Sequence, residues 1–153
     1  MANTYTQLYI QFVFVVKFRQ ALITTSWEDR LHKYIIAIVQ NNGHKVLAIN
    51  SASDHVHLFI GLNPNQSISD LMRQVKHESS QFINEHKLTK TLFRWQEGYG
   101  AFSYSQSQIQ TVIRYIERQK EHHKKVTFRD EYLKLLNAFE IDYNEKYIFK
   151  ELE

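Results

Sequence analysis

The 153-residue chain has no cysteine, a single proline (Pro64), four glycines and two tryptophans. Without cysteine there is no disulfide framework, no thiolate metal site and no cysteine nucleophile, and the composition suits a reducing compartment. Apolar runs such as Phe12–Val16 fall far short of the ~18 residues that a membrane span needs. The N-terminus has no basic segment leading into an apolar stretch, so no secretory signal is expected and the chain is placed in the cytoplasm. There is no internal repeat, linker or low-complexity segment. Length and composition predict one domain spanning residues 1–153.

Hydrophobic residues make up 43% of the chain and charged residues 23%, which is ordinary for a globular protein large enough to bury a core. The net charge of +3 and a pI near 9.0 lean mildly toward a polyanionic partner. The placement of charge says more. Arg114, Arg118, Lys120, Lys124, Lys125 and Arg129 cluster with His122 and His123, against only Glu117 and Glu121 before Arg129. A solvated helix face is the default for such a run. With Arg73 and Lys76, the residues Arg114, Arg118, Lys124 and Lys125 are candidate phosphate contacts.

Tyr5–Phe18 reads as a strand, with Ile10, Phe12, Phe14 and Val16 on one face and Tyr9, Gln11, Val13 and Val15 on the other. Thr25 and Glu28 have capping-box spacing and open a helix with Leu31, Tyr34, Ile35, Ile38 and Val39 inward. Asn41-Asn42-Gly43 ends it. Lys45–Ser51 and His55–Leu62 form a hairpin across Ala52-Ser53-Asp54. After the loop Asn63–Gln66 comes a helix with Ile68, Leu71, Met72, Val75, Ser79, Phe82 and Ile83 inward, and Arg73, Lys76 and His77 outward. Thr91–Tyr99 is expected as the fourth strand. Ser105 and Gln108 cap a third helix running to about His122, and Phe128–Phe139 is a further helix. The order β-α-β-β-α-β predicts an α+β, ferredoxin-like (RRM-like) antiparallel sheet with added C-terminal helices.

Two details of this layout carry chemistry. In an extended strand His55 and His57 project to one face, while Val56, Leu58 and Ile60 project to the other. Two imidazoles side by side on a sheet can grip a divalent metal; strand histidines bonded to neighbours are the commoner reason for such a pair. On the third helix, Tyr115 and Gln119 are four apart and share a face beside the apolar stripe of Ile109, Val112, Ile113 and Ile116. A phenol (pKa ~10) that attacks phosphorus makes an aryl phosphodiester with a good leaving group, and a nearby cation favours its ionisation. Two imidazoles and an amide are neutral ligands that leave the cation's charge nearly undiminished. Phosphoryl transfer through tyrosine also needs no nucleotide cofactor, because the covalent intermediate preserves the energy of the broken bond.

The chain resembles the single-tyrosine HUH transposases of bacterial insertion sequences, the IS200-like family. The resemblance rests on His55-Val56-His57 preceded by Asp54, on Tyr115-Ile116-Glu117-Arg118-Gln119-Lys120-Glu121-His122-His123, and on Trp95-Gln96-Glu97-Gly98-Tyr99-Gly100-Ala101-Phe102-Ser103 and Thr127-Phe128-Arg129-Asp130-Glu131-Tyr132. It runs from the first strand to the tail. Tyr104 departs from it, standing where an aliphatic residue is commoner.

The resemblance implies Tyr115 as nucleophile and His55, His57 and Gln119 as ligands of Mg²⁺ or Mn²⁺. Asp54 could orient a histidine or simply form the turn before the strand. The implied substrate is single-stranded DNA carrying imperfect hairpins, cut through a 5′-phosphotyrosine that leaves a free 3′-hydroxyl. The implied assembly is a homodimer with joined sheets, in which the tyrosine helix can complete the partner's site in trans. The implied setting is the bacterial cytoplasm, with no membrane and no nucleotide cofactor. Trp95, Tyr99 and Phe102 could stack on unpaired bases, although buried aromatics are the commoner case. A domesticated relative that binds hairpins without moving an element, or another nucleic-acid-binding module on the same fold, is the alternative.

Overall fold

The computed structural model describes residues 4–122 and 127–141. Its elements are β1 (Tyr9–Val15), α1 (Glu28–Asn41), β2 (Lys45–Ser51), β3 (His55–Gly61), α2 (Ile68–Glu85), β4 (Gly100–Tyr104), α3 (Ile109–Glu117), α4 (Gln119–His122) and α5 (Phe128–Ala138). The sheet order is β2-β3-β1-β4 with every neighbouring pair antiparallel, the ferredoxin-like arrangement expected from the sequence. Among the described residues no helix is long and apolar enough to cross a membrane.

Strand alternation sorts the side chains into two cores. Phe12, Phe14 and Val16 join Val56, Leu58 and Ile60 on one face, under Leu31, Ile35 and Val39 of α1 and Leu71, Met72, Val75 and Ile83 of α2. Burying each of the larger of these contributes roughly 1.5–3 kcal/mol. The opposite face is covered too. Val13, Val15 and Phe102 meet Phe128, Tyr132 and Leu136 of α5, while Ala48 and Phe59 meet Val112 and Ile116 of α3. His55 and His57 belong to this second face, in register with Val15 and Val13 of β1.

Several local expectations are corrected. Thr25 and Glu28 do not cap α1: the Trp27 and Glu28 amides donate to the Thr24 carbonyl, and the Glu28 carboxylate instead accepts from Ser51 Oγ (3.0 Å) and Lys120 Nζ (2.8 Å). A tertiary ion pair has taken the side chain that the box required. β1 is shorter than Tyr5–Phe18 at both ends: it begins at Tyr9, and past Val15 the chain turns away at Phe18 and Arg19, both at positive φ. The fourth strand is Gly100–Tyr104 rather than Thr91–Tyr99. Trp95 makes a single bridge to Val16 and buries its ring, its indole N–H donating to Ser79 Oγ at 3.0 Å; the backbone then bends through Gly98 at φ 82°. Lys76 Nζ fixes the bend by donating to the Gln96 and Gly98 carbonyls at 2.6 and 2.7 Å.

The Ser105–Gln108 capping box forms as predicted, and α3 follows a 3-10 turn. The helix does not run unbroken to His122: Arg118 leaves helical geometry and the short α4 follows. The Asn50 side chain donates to the Ile116 and Glu117 carbonyls (2.9 and 3.2 Å), anchoring the end of α3 to β2. Thr127 caps α5 by accepting from the Asp130 amide.

Candidate active site

The site lies on the second sheet face, between α3 and α5. His55 and His57 are both fully buried, and their rings meet edge to face with centroids 5.1 Å apart. Each has its Nδ1 engaged. His55 Nδ1–H donates to Asp54 Oδ1 at 2.7 Å, and His57 Nδ1 lies 2.9 Å from Gln11 Nε2. Both Nε2 atoms therefore face the same way, toward Glu131 of α5, whose Oε1 is 3.1 Å from His57 Nε2 and 3.9 Å from His55 Nε2. Phe128, one turn before Glu131, stacks on the His55 ring at 3.9 Å and fixes how α5 sits.

Asp54 lies against His55 and accepts from its Nδ1–H. Burial works to raise its pKa, but the hydrogen bond from His55 and the charges of His55 and Arg19 outweigh it and hold the carboxyl below its ordinary value. The Arg19 guanidinium is 3.7 Å from Asp54 and also lies over the Phe128 ring.

Tyr115 comes from α3 to the same place. Its ring stands edge-on to His57 with centroids 5.7 Å apart, and its hydroxyl donates to Glu131 Oε2. Burial raises its pKa well above that of a free phenol, and the negative charge and hydrogen bonding of Glu131 raise it further; a hydrogen bond with Gln119 acts in the opposite sense. A cavity of about 330 Å³ is lined by Tyr104, Val112, Tyr115, Glu131, Lys134 and Leu135.

His55, His57 and Tyr115, predicted together from the sequence, thus converge. Gln119 is fully buried and its amide rests on Tyr115, donating to the Tyr115 carbonyl at 3.3 Å. Glu131 was not predicted as a site residue. It belongs to a segment that carries the family resemblance, and a carboxylate one turn after a helix cap is ordinarily solvated; its burial to 4% exposure is the signal that only the fold supplies. The donor set of two imidazole nitrogens and one carboxylate, mutually within 4.8 Å and all buried, could hold a metal ion. The Asp54 carboxylate on His55 Nδ1–H leaves the His55 Nε2 lone pair facing inward, which suits that use.

The candidate cations fare differently. Arg114 and Arg118 are exposed on the tyrosine helix and just after it. Arg73 is exposed and paired with Asp70. Lys76, half-buried, spends its ammonium on the bend after Trp95; burial lowers its pKa, partly opposed by Glu97. Lys124 and Lys125, with His123, lie outside the described residues, as does the side chain of His122. Trp95 and Phe102 are buried and Tyr99 packs on the main core, so these aromatics are structural here.

A four-stranded antiparallel sheet with a histidine pair on a central strand and a tyrosine helix laid across it defines the class. The model of the family "Transposase IS200 like" matches residues 4–119. The chain belongs to that family. It is 27% identical over 120 residues to the ISDra2 transposase TnpA of Deinococcus radiodurans, covering 75% of this chain and 86% of that protein. The fold resembles a crystal structure from Deinococcus radiodurans R1 described as a transposase, with TM-score 0.62, 22% identity and coverage of 78% of this chain and 95% of that one. It also resembles a REP-associated tyrosine transposase bound to a REP hairpin, with TM-score 0.60, 18% identity and coverage of 82% and 74%.

Proposed function

We propose that this transposase-family chain is a metal-dependent tyrosine endonuclease and strand transferase acting on single-stranded DNA at hairpin-bearing element ends. The observation that carries the reading is that one carboxylate, Glu131, meets the Tyr115 hydroxyl with one oxygen and the face shared by His55 and His57 with the other. His55, His57 and Glu131 would hold the cation, with Gln119 as a further neutral donor. Mg²⁺ is the ion of choice and Mn²⁺ a substitute. Such an ion would supply positive charge against the scissile phosphate.

In the first step the Tyr115 oxygen attacks phosphorus and its proton passes to the Glu131 carboxylate. The bond from phosphorus to the 3′-oxygen breaks, that oxygen takes a proton from water, and a 5′-phosphotyrosine remains. In the second, a free 3′-hydroxyl attacks the phosphotyrosine and gives its proton to solvent, while the bond from phosphorus to the Tyr115 oxygen breaks and that oxygen takes back the proton held by Glu131. The reaction exchanges one phosphodiester for another and consumes no nucleotide. Asp54 positions His55, and Arg114, Arg118 and the basic run through Lys124 and Lys125 are proposed to contact DNA phosphates.

Family resemblance supports a homodimer, and the hairpin held by one structural neighbour supports hairpin DNA as the ligand. The test compares wild type with Tyr115→Phe on single-stranded oligonucleotides copied from the DNA flanking the gene. Cleavage is expected to vanish in the variant while hairpin binding stays within a few-fold. A variant that still cuts would overturn the role of Tyr115, and a wild type that binds hairpins without cutting would make the chain a domesticated binder.

A further inference from the structure

Gln11 lies outside every motif that points to function, yet it is a polar side chain with no exposed surface in the middle of a central strand. Burying an amide is costly unless both ends are bonded. Here one end lies 2.9 Å from His57 Nδ1, and the other accepts from the Tyr104 hydroxyl at 2.8 Å. The chain Tyr104–Gln11–His57–Glu131 thus joins β4, β1, β3 and α5 through three hydrogen bonds.

The chain runs in one direction. Tyr104 donates to Gln11 Oε1, and Gln11 Nε2–H donates to His57 Nδ1. His57 then carries its proton on Nε2 and donates it to Glu131 Oε1 at 3.1 Å. That order satisfies every group in the absence of an ion, but it leaves His57 Nε2 without the lone pair that a ligand needs. Offering that lone pair requires the ring proton on Nδ1. Gln11 must then present its oxygen, and its amide nitrogen must donate to the Tyr104 oxygen. A half-turn of the amide and rotation of one hydroxyl accomplish this without changing any net charge. Glutamine and tyrosine can each reverse roles in this way; an aliphatic residue at either position could not.

We propose that Gln11, backed by Tyr104, is a positioning residue that sets the tautomer of His57 and reverses its hydrogen bonds when a divalent cation binds. The inference rests on the metal reading of His55, His57 and Glu131. Outer partners of ligating histidines typically change metal affinity by ~10–100-fold when removed. Gln11→Met, which removes both roles, should weaken Mn²⁺ binding by about that factor. Gln11→Glu, a permanent acceptor for Nδ1–H, should stay within a few-fold of wild type; a merely structural glutamine would lose affinity in both. Should Gln11→Met fail to fold, Gln11→Glu and the wild-type spectrum below still decide the matter.

The direct readout is the tautomer, read from long-range ¹H–¹⁵N spectra of the imidazole rings of the full chain, with and without Mg²⁺, beside calorimetric Mn²⁺ titrations. We expect His57 to be protonated at Nε2 in the metal-free wild type and at Nδ1 when Mg²⁺ is added. An Nδ1–H tautomer in both states, or Gln11→Met binding Mn²⁺ as tightly as wild type, would overturn the proposal while leaving the metal site standing. A wild type that binds no Mn²⁺ would overturn the metal reading, and this inference with it.

Discussion

Tyr115 and Glu131, sixteen residues apart and on different helices, share a hydrogen bond in which the phenol donates to the carboxylate. Each imposes something on the other. The carboxylate is in place to take the proton, yet its charge helps keep the phenol protonated, so the pair is poised in a resting form until the carboxylate's charge is offset.

Glu131→Gln should separate these effects. In the metal-free protein, Tyr115 should ionise at lower pH than in wild type, though still above a free phenol, because burial remains. Ultraviolet titration of tyrosinate checks this. Strand cleavage should nevertheless fall by ~10²-fold or more, since both the proton acceptor and a charged ligand for the cation are lost. An unchanged rate would remove Glu131 from the chemistry.

Asn50 ties the end of the tyrosine helix to β2 through two carbonyls. Asn50→Ala should cost about 1–2 kcal/mol by urea denaturation and slow cleavage by more than hairpin binding weakens. Equal stability would mean that the packing of α3 and the contacts of Tyr115 hold the helix without Asn50.

Lys76 makes a pH-dependent contribution. Burial lowers its pKa below 10.5 in the folded chain, so the unfolded chain keeps this proton to higher pH. In the window between the two values, rising pH strips the folded form first, and stability relative to Lys76→Met should increase. Below that window the folded chain carries the full cost of the buried charge, offset by its bonds to Gln96 and Gly98. Paired denaturation curves from pH 8 to about 10.5 test the sign.

Tyr115 reaches the histidines of its own chain, whereas the family resemblance admits exchange of tyrosine helices between partners. Mixing Tyr115→Phe with a His55→Ala, His57→Ala double variant distinguishes the two. The geometry within one chain predicts no recovery of cleavage on mixing; restored cleavage would show that the helices exchange.

The sheet and the paired histidines could be read in the sequence because strand alternation alone sets them: His55 and His57 share a face whatever covers it. Gln11 fell on the correct face by the same rule, but its partners come from β3 and β4, and no local pattern names them. Glu131 was hidden for a related reason. Thr127 marks where α5 begins, yet only the stacking of Phe128 on His55 decides which side of that helix meets the site. Where expectation failed locally, a tertiary contact had won. Glu28 left its cap for Lys120 and Ser51, and the aromatic segment read as a strand turned inward at Trp95.

The central claim is tested most directly by trapping the covalent intermediate. Wild type, Tyr115→Phe and the His55→Ala, His57→Ala double variant are incubated with Mg²⁺ and single-stranded oligonucleotides from the gene's flanks, then denatured and mapped by peptide mass spectrometry. The account predicts a protein–DNA adduct on Tyr115 in wild type alone, lost when the cation is chelated. Cleavage without an adduct, or an adduct on another residue, would contradict it.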